Sequence, residues 1–434
     1  MEWLVIGSVV AVCLYMAWAI GANDVANSMA DAVGSRALSL KWAIILAAGC
    51  EFAGAVLVGS DVTDTIRKGI VRPEALAGRP EELCLGMACA ALAAALWLHL
   101  ATAFGMPVST THSIVGAVAG LGIVAAGWAS VHWGRIGGIV ASWFISPIAG
   151  MAMAFAVFHL ISHLVLRRAR PAAAAVWAMP VLVFIVFLVV ALSTLYDGLK
   201  NLAAEWRVYL VGPRAMLLST AIALIAAALA SLLIRRSLRG AAELPLGEQL
   251  HSVERVFAPL VIITSSSVAF AHGANDVANA VGPMAAVFHV IKTGSIAMKV
   301  PVPIWILALG GAGIVLGLST YGYRVMRTVG STITELTPSR GVAADIAAST
   351  TVLVCSRLGM PISTTHTIVG AILGVGLARG LAAVNYRIIR NILGSWLITV
   401  PAAAMVTVLL FLLGRALGAD TLFAQIMPVA PSAP

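Results

Sequence analysis

The 434-residue chain is 61% hydrophobic, has charge on only 10% of its residues, and carries a formal net charge of +9. With a mean hydropathy of +1.00, it departs from soluble domains, where roughly a quarter of residues are charged; a soluble fold could not cover this much apolar surface. The excess of Lys and Arg is not a nucleic-acid footprint, because it sits in short inter-helix clusters such as Arg167, Arg168, Arg170 and Arg235, Arg236, Arg239, as expected of cytoplasmic loops.

The apolar stretches do not alternate over about 10 residues as barrel strands do. They run for roughly 20 residues, the length that spans ~30 Å of hydrocarbon, and predict an all-α integral membrane protein of about twelve spans. The first, at 3–33, has neither the basic region nor the small-residue cleavage site of a signal peptide and is read as a retained helix. It contains Gly21-Ala22-Asn23-Asp24-Val25-Ala26-Asn27, and an interruption is expected near Gly21. Spans at 40–60 and 84–103 follow. Gly105-Met106-Pro107-Val108-Ser109-Thr110-Thr111-His112 then starts a new helix at 109–126, since Pro107 cannot continue the old one. The next spans are at 133–166, 175–196 and 213–234.

After a polar stretch the pattern returns. The span at 254–288 contains Gly273-Ala274-Asn275-Asp276-Val277-Ala278-Asn279, 252 residues after the first copy, with an interruption expected near Gly273. Spans at 302–324 and 341–357 lead to Gly359-Met360-Pro361-Ile362-Ser363-Thr364-Thr365-His366, 254 residues after its counterpart. That motif opens 363–378, and the last span is 387–416. The segments at 109–126 and 363–378 are short enough to be re-entrant.

Residues 1–166 and 254–416 thus read as two copies of one transmembrane unit, linked by helices and a loop at 167–253 and followed by a tail at 417–434. Seven spans separate the two starts; an odd number makes the repeat inverted. Duplicated, interrupted hydrophobic segments point to the substrate site of a secondary transporter. If the loops at 167–172 and 235–253 are cytoplasmic, those at 324–340 and 379–390 are too, with Arg324, Arg327, Arg340, Arg379, Arg387 and Arg390. Both termini then lie outside. The bias is modest, because Arg67, Lys68, Arg72 and Arg79 fall on the outer side.

Each Gly-Ala-Asn-Asp copy places an Asp mid-span, where an unpaired carboxylate costs at least a few kcal/mol. Asn23, Asp24 and Asn27, and likewise Asn275, Asp276 and Asn279, present oxygen-bearing side chains within about one helical turn. Hard oxygens with one carboxylate suit a small monovalent cation, with carbonyls from backbone unwound at Gly21 and Gly273 completing the shell. The alternative is a helix cap or an interhelical clamp. In the second motif Ser109 and Ser363 stand at N-cap positions, with Thr110, Thr111 and Thr364, Thr365 in the first turn. Unpaired N–H groups, a partial positive charge and three hydroxyls make an oxyanion site; simple N-capping is the competing reading. His112 and His366 have three roles open to them: donating to the anion, shuttling a proton, or bonding a neighbouring helix. Glu51 is an intramembrane carboxylate without a counterpart in the second copy, and coupling is its expected role. Asp61, Asp64 and Asp345 lie near span ends and are expected to be solvated or ion-paired. Gly311, Gly313 and Gly317 are expected to permit close helix packing, and the five cysteines to be buried and inert.

On these two duplicated motifs, and over nearly the whole chain, the sequence resembles the PiT family of inorganic phosphate transporters. Ala271-His272 before the second copy and Val281-Gly282-Pro283 after it are similar to the bacterial members. The resemblance implies a twelve-helix inverted-repeat symporter of the inner (cytoplasmic) membrane, usually a homodimer. Such a symporter moves phosphate with Na⁺ or H⁺, without a resident cofactor. It implies that Ser109, Thr110, Thr111, Ser363, Thr364 and Thr365 hold the anion. The two Asn-Asp-Asn triads would hold the cation, with Asp24 and Asp276 ligating Na⁺ if sodium is the coupling ion. Some members of the family are similar to sulfate permeases. An enzyme is disfavoured, because HExxH, GxSxG and dense Asp clusters are all missing from the sequence. A channel is the third reading.

Overall fold

The computed structural model describes residues 2–59, 70–76, 78–195, 212–294, 296, 302–357 and 362–427. Asp61, Asp64 and the Gly359-Met360-Pro361 breaker lie outside the described residues. Every expected span is helical. In chain order the helices are α1 (Glu2–Gly34), α2 (Leu40–Val58), α3 (Pro80–Ala103), α4 (Thr110–Ala126), α5 (Trp133–Ile161), α6 (Pro171–Ser193) and α7 (Pro213–Ser237). Then come α8 (Leu246–Thr293), α9 (Ile304–Thr320), α10 (Tyr323–Arg327), α11 (Pro338–Arg357), α12 (Thr364–Arg379), α13 (Tyr386–Ala416) and α14 (Ala419–Ile426). Among the described residues eight are long and apolar enough to cross a membrane, or nine if α9 and the segment bent by 55° after it form one span, against the twelve expected. α4 and α12 have 17 and 16 residues, ~24–26 Å at 1.5 Å per residue, which is short of a full crossing.

The two expected interruptions do not occur. α1 is continuous through Gly21, and α8 is one helix of 48 residues through Gly273. At ~72 Å, α8 is more than twice the ~30 Å apolar thickness and projects well beyond it. The glycines serve a different purpose. A Cβ on Gly21 would collide with the backbone carbonyl of Ile314, and one on Gly273 with that of Glu51. They let α1 press on α9 and α8 on α2, backbone against backbone. Gly273→Val should therefore cost at least the ~1–3 kcal/mol of an overpacked core, because the obstacle is main chain. Gly394→Ala, on α13 with open space around it, should be neutral or stabilising through helix propensity. Thermal unfolding of the two purified variants in detergent measures the difference.

The contacts are reciprocal. α1 packs on α9 and α8 on α2; α4 packs on α13 and α12 on α5; α1 and α8 cross each other. Each half thus lays its first helix on the second helix of the other half, and its hydroxyl-started helix on the other half's last long one. α6 and α7 pair with each other to one side. Large apolar side chains on α5, α7 and α13, among them Phe144, Leu217, Leu233, Leu397 and Leu409, are exposed, which suits lipid and not water. Trp3, Trp42, Trp128 and Trp305 are exposed at helix ends, the usual place of interfacial anchors.

Candidate functional site

Described residues of all four motif copies meet at the crossing of α1 and α8. Asn27 Nδ2 donates to Asp24 Oδ1 (3.0 Å) on its own helix and to Thr365 Oγ1 (2.8 Å) at the start of α12. Thr365 Oγ1 in turn donates to Asp24 Oδ1 (3.3 Å). The same triangle forms on the other side. Asn279 Nδ2 donates to Asp276 Oδ1 (2.9 Å) and to Thr110 Oγ1 (3.4 Å), and Thr110 donates to Asp276 Oδ1 (3.4 Å). Each Asn-Asp pair is thereby tied to the hydroxyl tip of the opposite half.

Ser109 and Ser363 sit where N-caps were expected. Their side chains accept from the backbone N–H of His112 and His366, each at 3.2 Å. Gly105, with φ 66, turns the chain out of α3 so that α4 can restart in a new direction. The two tips are not in identical register. α4 uses its first residue, Thr110, and leaves Thr111 half-buried; α12 uses its second, Thr365, and leaves Thr364 half-buried. Thr364 lines a cavity of about 120 Å³ together with Asn27, His272 and Asn275, the one triad residue that is only half-buried. The cavity reaches the site from the side of α6 and α11, where Ser193, Ser267 and Ser349 add hydroxyls.

Asn23 is engaged elsewhere. Its Nδ2 donates to Thr102 Oγ1 (2.8 Å) and Met106 O (3.0 Å), and its Oδ1 accepts from Val108 N (3.0 Å). Both ends of the amide hold the connection that sets α4 in place, an interhelical clamp. The expected unwinding does not occur, and on α8 Pro283 lacks the N–H that would donate to the carbonyl of Asn279 one turn before it.

His272, which neither duplicated motif contains, is at the centre. Its Nε2 lies 2.6 Å from Asp276 Oδ2 and 3.6 Å from Asp24 Oδ2, and its Nδ1 lies 3.7 Å from Glu51 Oε1. Glu51 also accepts from Ser28 Oγ at 3.3 Å. The contact to Asp276 is short but not aligned as a linear hydrogen bond. Asp24 Oδ2, Asn27 Oδ1, Glu51 Oε2, Asp276 Oδ2 and both ring nitrogens are buried without a hydrogen-bond partner. Ligand atoms of Asp24, His272 and Asp276 all lie within 4.8 Å of one another. Three carboxyl groups converge on one imidazole in a buried site, so the donor set suits an added cation: a proton, or Na⁺ on the carboxylate and amide oxygens.

His112 and His366 face each other at 4.8 Å between ring centroids. Trp143 packs on the first (5.1 Å) and Trp396 stacks on the second (3.6 Å). Among the described residues neither ring makes a hydrogen bond, and both nitrogens of His366 are buried without a partner. Asp345, expected near a span end in a solvated or ion-paired setting, is instead buried in α11. Its Oδ2 accepts from Thr264 (2.5 Å) and Ser265 (3.0 Å). The reason is that α11 begins at Pro338 and runs two turns before reaching it.

Comparison with known proteins gives the family. The model of the phosphate transporter family matches residues 20–407. A solved structure described as the sodium-dependent phosphate transporter superposes with a TM-score of 0.83 at 42% identity, covering 95% of this chain and 99% of that one. A Thermococcus kodakarensis protein, provisionally named a phosphate permease, is 47% identical over 410 residues, 94% of this chain and 97% of its own. Inorganic phosphate transporter 2-1, chloroplastic, of Arabidopsis thaliana is 40% identical over 413 residues, 91% of this chain and 70% of its own. The chain is a multi-pass membrane protein, and it belongs to the phosphate transporter family.

Proposed function

We propose that this protein is a secondary carrier that imports inorganic phosphate together with Na⁺ or H⁺ across the cytoplasmic membrane by alternating access. The observation that carries the reading is the pair of crossed triangles, Asp24–Asn27–Thr365 and Asp276–Asn279–Thr110. They bring two helix starts and two carboxylates from opposite halves to one point. The anion meets the hydroxyls and first-turn N–H groups of α4 and α12. The cation meets Asp24, Asp276, Asn27 and Asn279, with Asn27 and Asn275 on the cavity wall.

Charge explains why the two solutes move together. Asp24, Asp276 and Glu51 outnumber His272, so an oxyanion entering alone would add like charge at low dielectric, which is costly. A co-transported cation removes that penalty and lets the loaded site reorient with little net buried charge. Phosphate at neutral pH keeps a proton that sulfate lacks, and the unpaired acceptors Asp24 Oδ2 and Asp276 Oδ2 favour the protonated anion. The sodium-dependent name of the solved relative makes Na⁺ the first ion to test, and the family resemblance makes a homodimer the expected assembly.

Radiolabelled phosphate uptake into proteoliposomes, under sodium and proton gradients imposed separately, is the experiment. Saturable uptake that follows one gradient, with weak competition by sulfate, supports the reading. Non-saturating uptake indifferent to both gradients supports a channel, and stronger competition by sulfate than by phosphate reverses the substrate.

A further inference from the structure

A second charged cavity lies apart from the transport site, at the end of the bundle where α1 stops and α8 begins. It measures about 880 Å³ and is lined by residues of the α1–α2 turn, the first turns of α8 and the bent segment after α9. Three arginines face it, one from each: Arg36, Arg255 and Arg327. All three are exposed, and among the described residues none of their guanidinium groups has an ion pair or hydrogen bond. The two carboxylates of the lining are already engaged. Glu254 accepts from Ser339 N (2.8 Å) and Ser339 Oγ (2.7 Å) at the start of α11, and Glu335 pairs with Arg379 (3.2 Å) and Arg340 (3.7 Å). Glu335 is neutralised by its arginines, and three guanidinium groups then face the single charge of Glu254, so the balance of the lining is positive.

Backbone geometry agrees. Arg36, with φ 61, is the one non-glycine residue with positive φ among the described residues, a conformation that costs an L-residue roughly 1–2 kcal/mol. The strain turns the chain between α1 and α2 beside the cavity. α2 begins at Leu40, on the cavity wall, and Ser39 before it makes no side-chain capping bond. The free N–H groups of that first turn add to the anion preference.

The rim identifies the source of the anion. Leu40 (41%) and Tyr323 (46%) line the cavity yet are exposed, and Trp42 (60%) stands close by on α2. Aromatic and apolar side chains beside arginines at helix ends mark the lipid–water boundary, where basic pockets between helices hold phosphate headgroups. The space is several times the roughly 120 Å³ beside Thr364, more than a single inorganic phosphate needs. We propose that this cavity binds the phosphate headgroup of an anionic phospholipid, through Arg36, Arg255 and Arg327. The site stands independently of the transport reading.

Thermal unfolding of the full-length protein in detergent tests it, with phosphatidylglycerol, phosphatidylcholine or inorganic phosphate added in separate arms. Phosphatidylglycerol should raise the midpoint by ~3 °C or more, and phosphatidylcholine should not. The R36Q/R255Q/R327Q variant should lose that rise while keeping its midpoint in plain detergent. Inorganic phosphate should act equally on wild type and variant, through the transport site. A variant that keeps the full phosphatidylglycerol rise overturns the assignment. So does a phosphate-induced rise that the variant alone loses, which would make the cavity a free-phosphate site. If the triple variant does not fold, the single R255Q and R327Q variants carry the same test, each with a reduced rise.

Discussion

Asp24→Asn and Asp276→Asn are each expected to reduce cation-coupled phosphate uptake by ~10- to 100-fold, the range for losing a buried interaction with a charged group, while the protein still folds. The substitution keeps shape and keeps an acceptor oxygen for Asn27 Nδ2 or Asn279 Nδ2, so the triangle survives. It removes one of the carboxylates that a cation would neutralise. Asp276 should be the more sensitive position, because His272 Nε2 lies 2.6 Å from it and only 3.6 Å from Asp24. Uptake in proteoliposomes, scored against cation concentration, reads the effect. Two variants with wild-type cation dependence would remove the carboxylates from the coupling mechanism.

Thr110→Val and Thr365→Val should each raise the half-saturating phosphate concentration by ~10-fold, the value of one buried hydrogen bond at about 1 kcal/mol or slightly more. Val preserves the volume and deletes the hydroxyl that bridges to the opposite Asp. The effect should be larger at these two positions than at Thr111 and Thr364, whose hydroxyls do not join a triangle. An unchanged half-saturation in both variants removes the helix tips from the anion site.

Much of this arrangement was legible in the sequence, for identifiable reasons. Apolar length located the helices, and the prolines and serines of the duplicated motifs marked where α4 and α12 begin, as Ser109 and Ser363 bear out by capping. Duplication itself brought Asp24, Asp276, Thr110 and Thr365 to one site. What misled was glycine. The same residue serves an unwound backbone or a close helix approach, and only the neighbouring chain decides; at Gly21 and Gly273 that neighbour is a carbonyl on the crossing helix. Asn23 could not be told from Asn27 by composition, since its partners, Met106 and Val108, lie in a connection whose path depends on tertiary packing. The one-residue difference between Thr110 and Thr365 lies in helix rotation, to which two identical motifs are blind.

His272 is the residue that the duplicated pattern hid. Its counterpart in the first half, 252 residues earlier, is Ile20, so repetition does not mark it. Two physical signals do. It stands four residues before Asp276, on the same helical face, and Glu51, an intramembrane acid without a counterpart in the second copy, requires a basic partner. Both asymmetric residues meet in one contact at 3.7 Å. The pseudo-symmetric site on α1 and α9 has Ile20 and glycines in their place, so the titratable group belongs to one half only.

The central claim, that both hydroxyl tips and both acidic helices form a single binding site for anion and cation, is tested most directly by a density map of the protein prepared with phosphate and sodium. A tetrahedral density within hydrogen-bonding distance of the Thr110 and Thr365 hydroxyls, beside a smaller one ligated by Asp24 or Asp276, is the predicted result. Anion density more than ~10 Å away, beyond any direct hydrogen bond to these residues, would contradict the account.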